Sequence, residues 1–139
     1  MPLNTTPIFV GTPRTETAEL TAANTARDGS GTLATLFIAG TSGSRVDFIT
    51  FNSAQATPAA SSAMVGRVFV TNTSGLNPVL LSEIALPTIT ASNTVIGQTQ
   101  TVFYSNGLLL SAGQQLRVAI SVYAGVQDKF QVIARGGDY

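Results

Sequence analysis

Residues 116–123 alternate without a break. Leu116, Val118, Ile120 and Val122 fall on one side, and Arg117, Ala119, Ser121 and Tyr123 on the other. A period of two marks a half-buried strand, because successive side chains of a strand point to opposite faces of its sheet. Short segments of this kind recur along the whole chain. Residues 15–21 read as a strand with Ala18 and Leu20 inward and Glu19 outward, and 129–135 as one with Phe130, Val132 and Ala134 inward. Residues 33–39 are apolar almost throughout, which predicts a strand buried on both faces. In 45–51 the apolar set changes side between Val46/Phe48 and Ile49/Phe51, so a β-bulge or two-sided burial is expected.

Residues 64–70, 79–86 and 98–104 complete a set of eight strands. Gly66 is a weak point in the first of these. Residues 78–86 are the one stretch with a rival helical reading, and Pro78, Pro87 and the short length favour a strand. Turn chemistry separates the runs: Arg27-Asp28-Gly29-Ser30-Gly31-Thr32, residues 40–44, residues 71–78, Asn106-Gly107 and Ser111-Ala112-Gly113. Residues 52–63, rich in small side chains, read as a loop. Eight short strands without a helix predict an all-β, single-domain antiparallel β-sandwich, with an eight-stranded jelly roll as the expected topology.

A chain of 139 residues fits one domain with a true hydrophobic core. Pro2, Pro7 and Pro13 set the first 14 residues apart as an extended N-terminal arm, and residues 15–139 form the sandwich. Charge is the unusual quantity: 10% of residues are charged, against about 25% in ordinary soluble proteins. Seven basic and seven acidic side chains cancel. A neutral, charge-poor surface favours association, so coverage by other chains is expected.

The basic residues are scattered, which argues against nucleic acid as a partner. No run of about 18 apolar residues occurs, so no membrane-spanning helix is expected. The opening MPLNTTPIFVG lacks the positive and apolar regions of a signal peptide, so export by the standard route is not expected.

Chemistry is equally constrained. With no cysteine and no histidine, neither a disulfide, a thiolate metal site nor a Ser-His-Asp arrangement can be built. Asp28-Gly29-Ser30-Gly31 has no second acid to complete a calcium loop and reads as a structural turn. Gly40-Thr41-Ser42-Gly43-Ser44 does not match a nucleophile elbow, and no phosphate-binding GK[ST] occurs. Seven acids remain from which a pair could converge for glycoside hydrolysis, with no tryptophan to stack on a sugar. The expectation is a protein that is not an enzyme, without catalytic, cofactor or metal residues.

Functional expectation therefore moves to the chain ends. Leu3, Ile8, Phe9 and Val10 are candidate apolar anchors of the arm. Arg135 and Tyr139, around the flexible pair Gly136-Gly137, are a candidate clasp at the tail.

Two segments carry a resemblance: residues 23–32, ANTARDGSGT, with the strand and GTSGSRVDFI that follow, and the closing FQVIARGGDY, residues 130–139. They resemble small virion proteins of tailed bacteriophages, of the capsid auxiliary, decoration or cement type. The likeness covers about the central third of the chain and its C-terminus. It implies a β-sandwich on the capsid surface, assembled in the host cytoplasm as a homo-oligomer, a trimer being favoured, with the major capsid protein as partner. A tail, neck or fibre component of the same particle, and a carbohydrate-binding adhesion module, are the alternatives.

Overall fold

A computed structural model describes residues 10–56 and 58–139. Leu3, Ile8 and Phe9 lie outside the described residues. Eight strands form: β1 (Thr12–Leu20), β2 (Ala34–Ile38), β3 (Ser44–Ser53), β4 (Met64–Val70), β5 (Val79–Leu86), β6 (Thr99–Leu110), β7 (Gln115–Ile120) and β8 (Phe130–Asp138). Among the described residues the one helical element is a 3₁₀ turn, Val126–Asp128. The strands make two four-stranded sheets, in the orders β1-β8-β3-β6 and β2-β7-β4-β5, with every neighbouring pair antiparallel. The expected all-β sandwich is what the chain adopts.

Four of the pairings are nested. β1 pairs with β8, β2 with β7, β3 with β6, and β4 with β5. The chain is thus one long antiparallel ribbon, folded over at the β4–β5 connection and rolled up until β3 meets β8 and β4 meets β7. Its inner faces enclose the core: Leu20, Val46, Ile49, Phe51, Phe130 and Val132 from one sheet, with Leu36, Phe37, Val68, Leu116, Val118 and Ile120 from the other. Burying each of these side chains contributes about 1.5–3 kcal/mol.

The shift of face in β3 is a bulge. Pairing to both neighbours slips between Val46 and Phe48, which leaves Asp47 unpaired, so Val46, Ile49 and Phe51 all turn inward. Elsewhere the structure departs from expectation. β2 is not buried on both faces: a bulge at Leu36 brings Leu36 and Phe37 inward together, and Ile38 remains 48% exposed. Asn106-Gly107 is not a turn between strands, for β6 runs through it. Tyr104–Gly107 balloon out opposite Asp47 between the pairs Phe48–Phe103 and Val46–Leu108. Gly107 has φ +73°, the left-handed conformation that this loop-out requires.

Two glycine readings also change. Gly66 is not a weak point, because a Cβ there would sit 2.9 Å from the Phe51 ring. Gly136 to Asp138 are not tail but the last part of β8, held between β1 and β3. Residues 12–14, placed in the arm by sequence, belong to β1. β7 ends at Ile120, short of Tyr123.

Candidate functional site

The two sheets differ in what covers their outer faces. The loop leading from β1 to β2 lies against β7, β4 and β5. The Asn24 N–H donates to the Ile120 carbonyl at 2.8 Å, and Ala23 bridges Ile120 in parallel. Arg67 donates from Nη1 to the Asn24 carbonyl at 3.1 Å and from Nε to Glu83 at 2.9 Å, while Arg27 reaches the other Glu83 oxygen at 2.8 Å. Outward-pointing Arg67, Phe69 and Ala119 are consequently buried.

The loop holds its own shape through Asn24. Its amide donates to the Ser30 and Thr32 carbonyls, and its oxygen accepts from the Ala26 N–H, each at 2.9 Å. Asp28 accepts from the Ser30 N–H and hydroxyl, which hold its carboxyl below the ordinary range. The Asp-Gly-Ser-Gly stretch is a structural turn, as its residue types suggest. Among the described residues, no group of three His, Cys, Asp or Glu side chains could hold a metal ion.

Among the described residues, no loop crosses the outer face of β1-β8-β3-β6, and Val10 alone lies over its first row, at Gly137. Registered rows run across it: Pro13, Gly137, Arg45 and Leu109; then Thr15, Arg135, Phe48 and Phe103; then Thr17, Ile133, Thr50 and Thr101. Phe103 is 75% exposed and Leu109 66%. Phe103 leans on Phe48 with ring centroids 5.9 Å apart, and the Arg135 guanidinium lies 5.9 Å from the Phe48 centroid.

Of the residues singled out from sequence, Val10 is half-buried and lies over Gly137. Arg135 stands on the open face. Tyr139 donates its N–H to the Gly43 carbonyl at 3.2 Å and lines a groove with Leu109, Leu110 and Ala112. Arg135 and Tyr139 therefore engage different neighbours.

The polar junction at this end of the sandwich is built instead around Asp138, which sequence reasoning missed. Its carboxylate accepts from Arg14 Nη1 at 3.0 Å and from the Ser44 hydroxyl, which in turn accepts from the Gly40 N–H at 2.9 Å. Arg14 also donates to the Ile38 carbonyl at 2.8 Å and lies 4.5 Å from the Phe37 ring centroid. Four strands, β1, β2, β3 and β8, are tied together there. The available signal was an acid beside a glycine pair, where backbones approach closely. Its partners lie up to 124 residues away.

These contacts set the acid response. The Ser44 hydroxyl, with help from Arg14, lowers the Asp138 pKa. Arg67 and then Arg27 lower Glu83, and Lys129 lowers Glu19. A depressed folded-state pKa contributes stability above the unfolded value, 3.8 for Asp and 4.5 for Glu, that is lost as pH falls through the folded one. With no histidine, no side chain has an ordinary pKa between about 5 and 8. The urea midpoint is expected to be flat from about pH 5 to 8 and to fall below about pH 4.5. Glu83→Gln should flatten part of that fall, and a midpoint that rises on acidification would contradict the assignment.

Among the described residues, fold and surface together define an antiparallel two-sheet β-sandwich with one face covered by its own loop and one largely open. No family model matches the chain, and no curated protein matches it. One similar solved structure is that of infectious bursal disease virus Gt strain, at 16% identity and a TM-score of 0.29. The likeness covers 98% of this chain and 34% of that one, so this chain spans about a third of its length. At that TM-score the likeness supports no conclusion about what this chain does.

Proposed function

We propose that this chain is a non-enzymatic structural protein of a bacteriophage virion, a decoration or cement protein that packs as a homo-oligomer on the capsid surface against the major capsid protein. The observation that carries the reading is a charge-poor, net-neutral surface with large apolar side chains in the open. Ile96, Phe103 and Leu109 are exposed on a chain of zero net charge. Such a surface gains free energy by being covered. The nested strand order, which we read as a jelly roll, suits a rigid block whose chemistry lies in its contacts. Val10, Arg135 and Tyr139 are the contact residues among those described, and Leu3, Ile8 and Phe9 are the expected arm contacts. A protein that binds the assembled shell but not its open form stabilises the shell by the difference in affinity.

Imaging of purified particles tests this directly. Density for the sandwich on the outer shell supports the reading. Density confined to tail, neck or fibre moves the protein to another structural role in the same particle, and absence from the particle ends the proposal.

A second reading, carbohydrate binding, has one feature in its favour. Gln98 is 6% exposed, and neither atom of its carboxamide finds a hydrogen-bond partner among the described residues. It borders a neutral groove with Asn52, Thr88, Thr99 and Gln100. No aromatic side chain lines that groove, which weighs against a sugar. Specific binding of the isolated protein on a glycan array would reverse the order of the two readings.

A further inference from the structure

We propose that the open face of β1-β8-β3-β6 is the contact between two copies of this chain, packed sheet on sheet about a two-fold axis parallel to the strands. The inference rests on the reading of the protein as an assembly block and names the face and the partner that reading leaves open.

Size comes first. Nine registered positions on β1, β8 and β3 and eight on β6 make a face of about 30 by 19 Å, taking about 3.3 Å per residue and about 4.8 Å between strands. Two such faces bury about 1,100 Å² before side-chain relief is counted, which clears the roughly 1,000 Å² floor for a specific interface and lies at its small end. The covered sheet offers no comparable surface, since its own loop occupies it.

Complementarity comes second. A two-fold axis along the strands lays β6 of each copy over β1 of the other and β3 over β8. In the row Thr15, Arg135, Phe48, Phe103, the guanidinium of each copy then faces the other's Phe48 ring, and each Phe103 meets Thr15. The arrangement supplies a cation–π contact twice, keeps the two Arg135 charges apart, and needs no counter-ion. In the adjoining rows Leu109 meets Pro13, and Ile133 meets Thr50. The remaining charges in those rows do not oppose this, because Arg45 is already paired with Asp47 at 2.7 Å. Two sandwiches stacked in this way pack sheet on sheet in the aligned mode.

Partner choice follows from the same rows. A foreign partner is normally selected by a complementary charge pattern, and among the described residues this face carries two internally neutralised pairs, Arg45–Asp47 and Lys129–Glu19, with Arg135 beside them. Its own copy supplies a partner for Arg135, Phe103 and Leu109. The contact is isologous and closes at two copies, whereas the trimer favoured from sequence would need two different patches.

Light scattering and sedimentation on the full chain at about 1 and 100 µM test the proposal. The wild type is expected to be a dimer. Phe103→Asp, a change at an exposed side chain, should weaken dimerisation at least 30-fold with an unchanged circular dichroism spectrum. Thr17→Lys on the same face is the second variant, for use if the first fails to fold. Ile96→Asp, at an exposed position outside the registered rows, should leave the dimer intact.

A monomeric wild type, a three-copy mass, or a Phe103→Asp dimer as tight as wild type would each overturn the proposal. A monomer whose occupancy on particles falls with Phe103→Asp would assign the face to the shell protein instead. That outcome would leave the virion reading standing.

Discussion

Gly136→Ala is expected to lower the melting temperature by about 10 °C. β8 is an interior strand with β1 on one side and β3 on the other, and Gly136 pairs with Arg14 and Val46 at the point where β3 bulges. A Cβ at this position would overlap the Arg45 carbonyl oxygen and stand 2.8 Å from the Val46 Cα. Both are main-chain atoms in the middle of a sheet, so neither can swing aside as a side chain could. Relief requires β3 and β8 to separate, which weakens the ladder and loosens the Asp138 junction two residues on. Overpacking of this kind costs about 3 kcal/mol. For 139 residues, an unfolding entropy of roughly 0.3 kcal/mol per degree converts that to about 10 °C.

Gly11→Ala is the control. Among the described residues, a Cβ there comes no closer than 3.8 Å to anything beyond its chain neighbours, so a change below about 0.5 kcal/mol is expected. Scanning calorimetry on the two variants decides the matter. A Gly136→Ala protein that melts with the wild type would mean that β8 is not seated between β1 and β3.

That glycine also marks where sequence reading stopped being sufficient. β4 and β5 were legible to the residue, because a run of small loop residues, Pro78 and Pro87 punctuate them. The bulge in β3 was legible too, since a period-two pattern that changes side within one strand demands an extra residue. Asn106-Gly107 was not. Locally it has the chemistry of a tight hairpin, and only the position of Val46 and Phe48 on the neighbouring strand makes it a loop-out within β6.

The closing Gly-Gly was misread for a related reason. Glycine loosens a free end, yet it is also what lets three backbones crowd together, and sequence cannot say which neighbours are near. The Asp138 junction escaped because Arg14 and Ser44 reach it from distant parts of the chain. The open face is different again. Phe48, Phe103, Leu109 and Arg135 are ordinary strand residues one by one, and they become a surface only when the register sets them in rows.

Asp128→Ala is expected to lose about 3 kcal/mol, again about 10 °C. Asp128 is fully buried at the end of the 3₁₀ turn. One carboxylate oxygen accepts from the Ser62 N–H at 2.6 Å. The other accepts from the Ser62 hydroxyl at 3.0 Å and the Ala124 N–H at 2.7 Å. The residue thereby joins the loop before β4 to the connection between β7 and β8, two segments with no strand ladder of their own. Alanine removes both acceptor oxygens and takes the acceptor from two part-buried main-chain donors, the Ser62 and Ala124 N–H groups, which costs more than the bonds themselves contribute.

Asp128→Asn separates that cost from the loss of packing, because it keeps the shape and one acceptor. Its NH₂ group must then face either the Ser62 or the Ala124 N–H, donor against donor, so an intermediate loss is expected. Urea unfolding should show the midpoint falling in the order wild type, Asn, Ala, with an unchanged slope. An asparagine variant as stable as wild type would show that the second carboxylate oxygen is dispensable. The join between the two segments would then rest on the Ser62 main-chain bond alone.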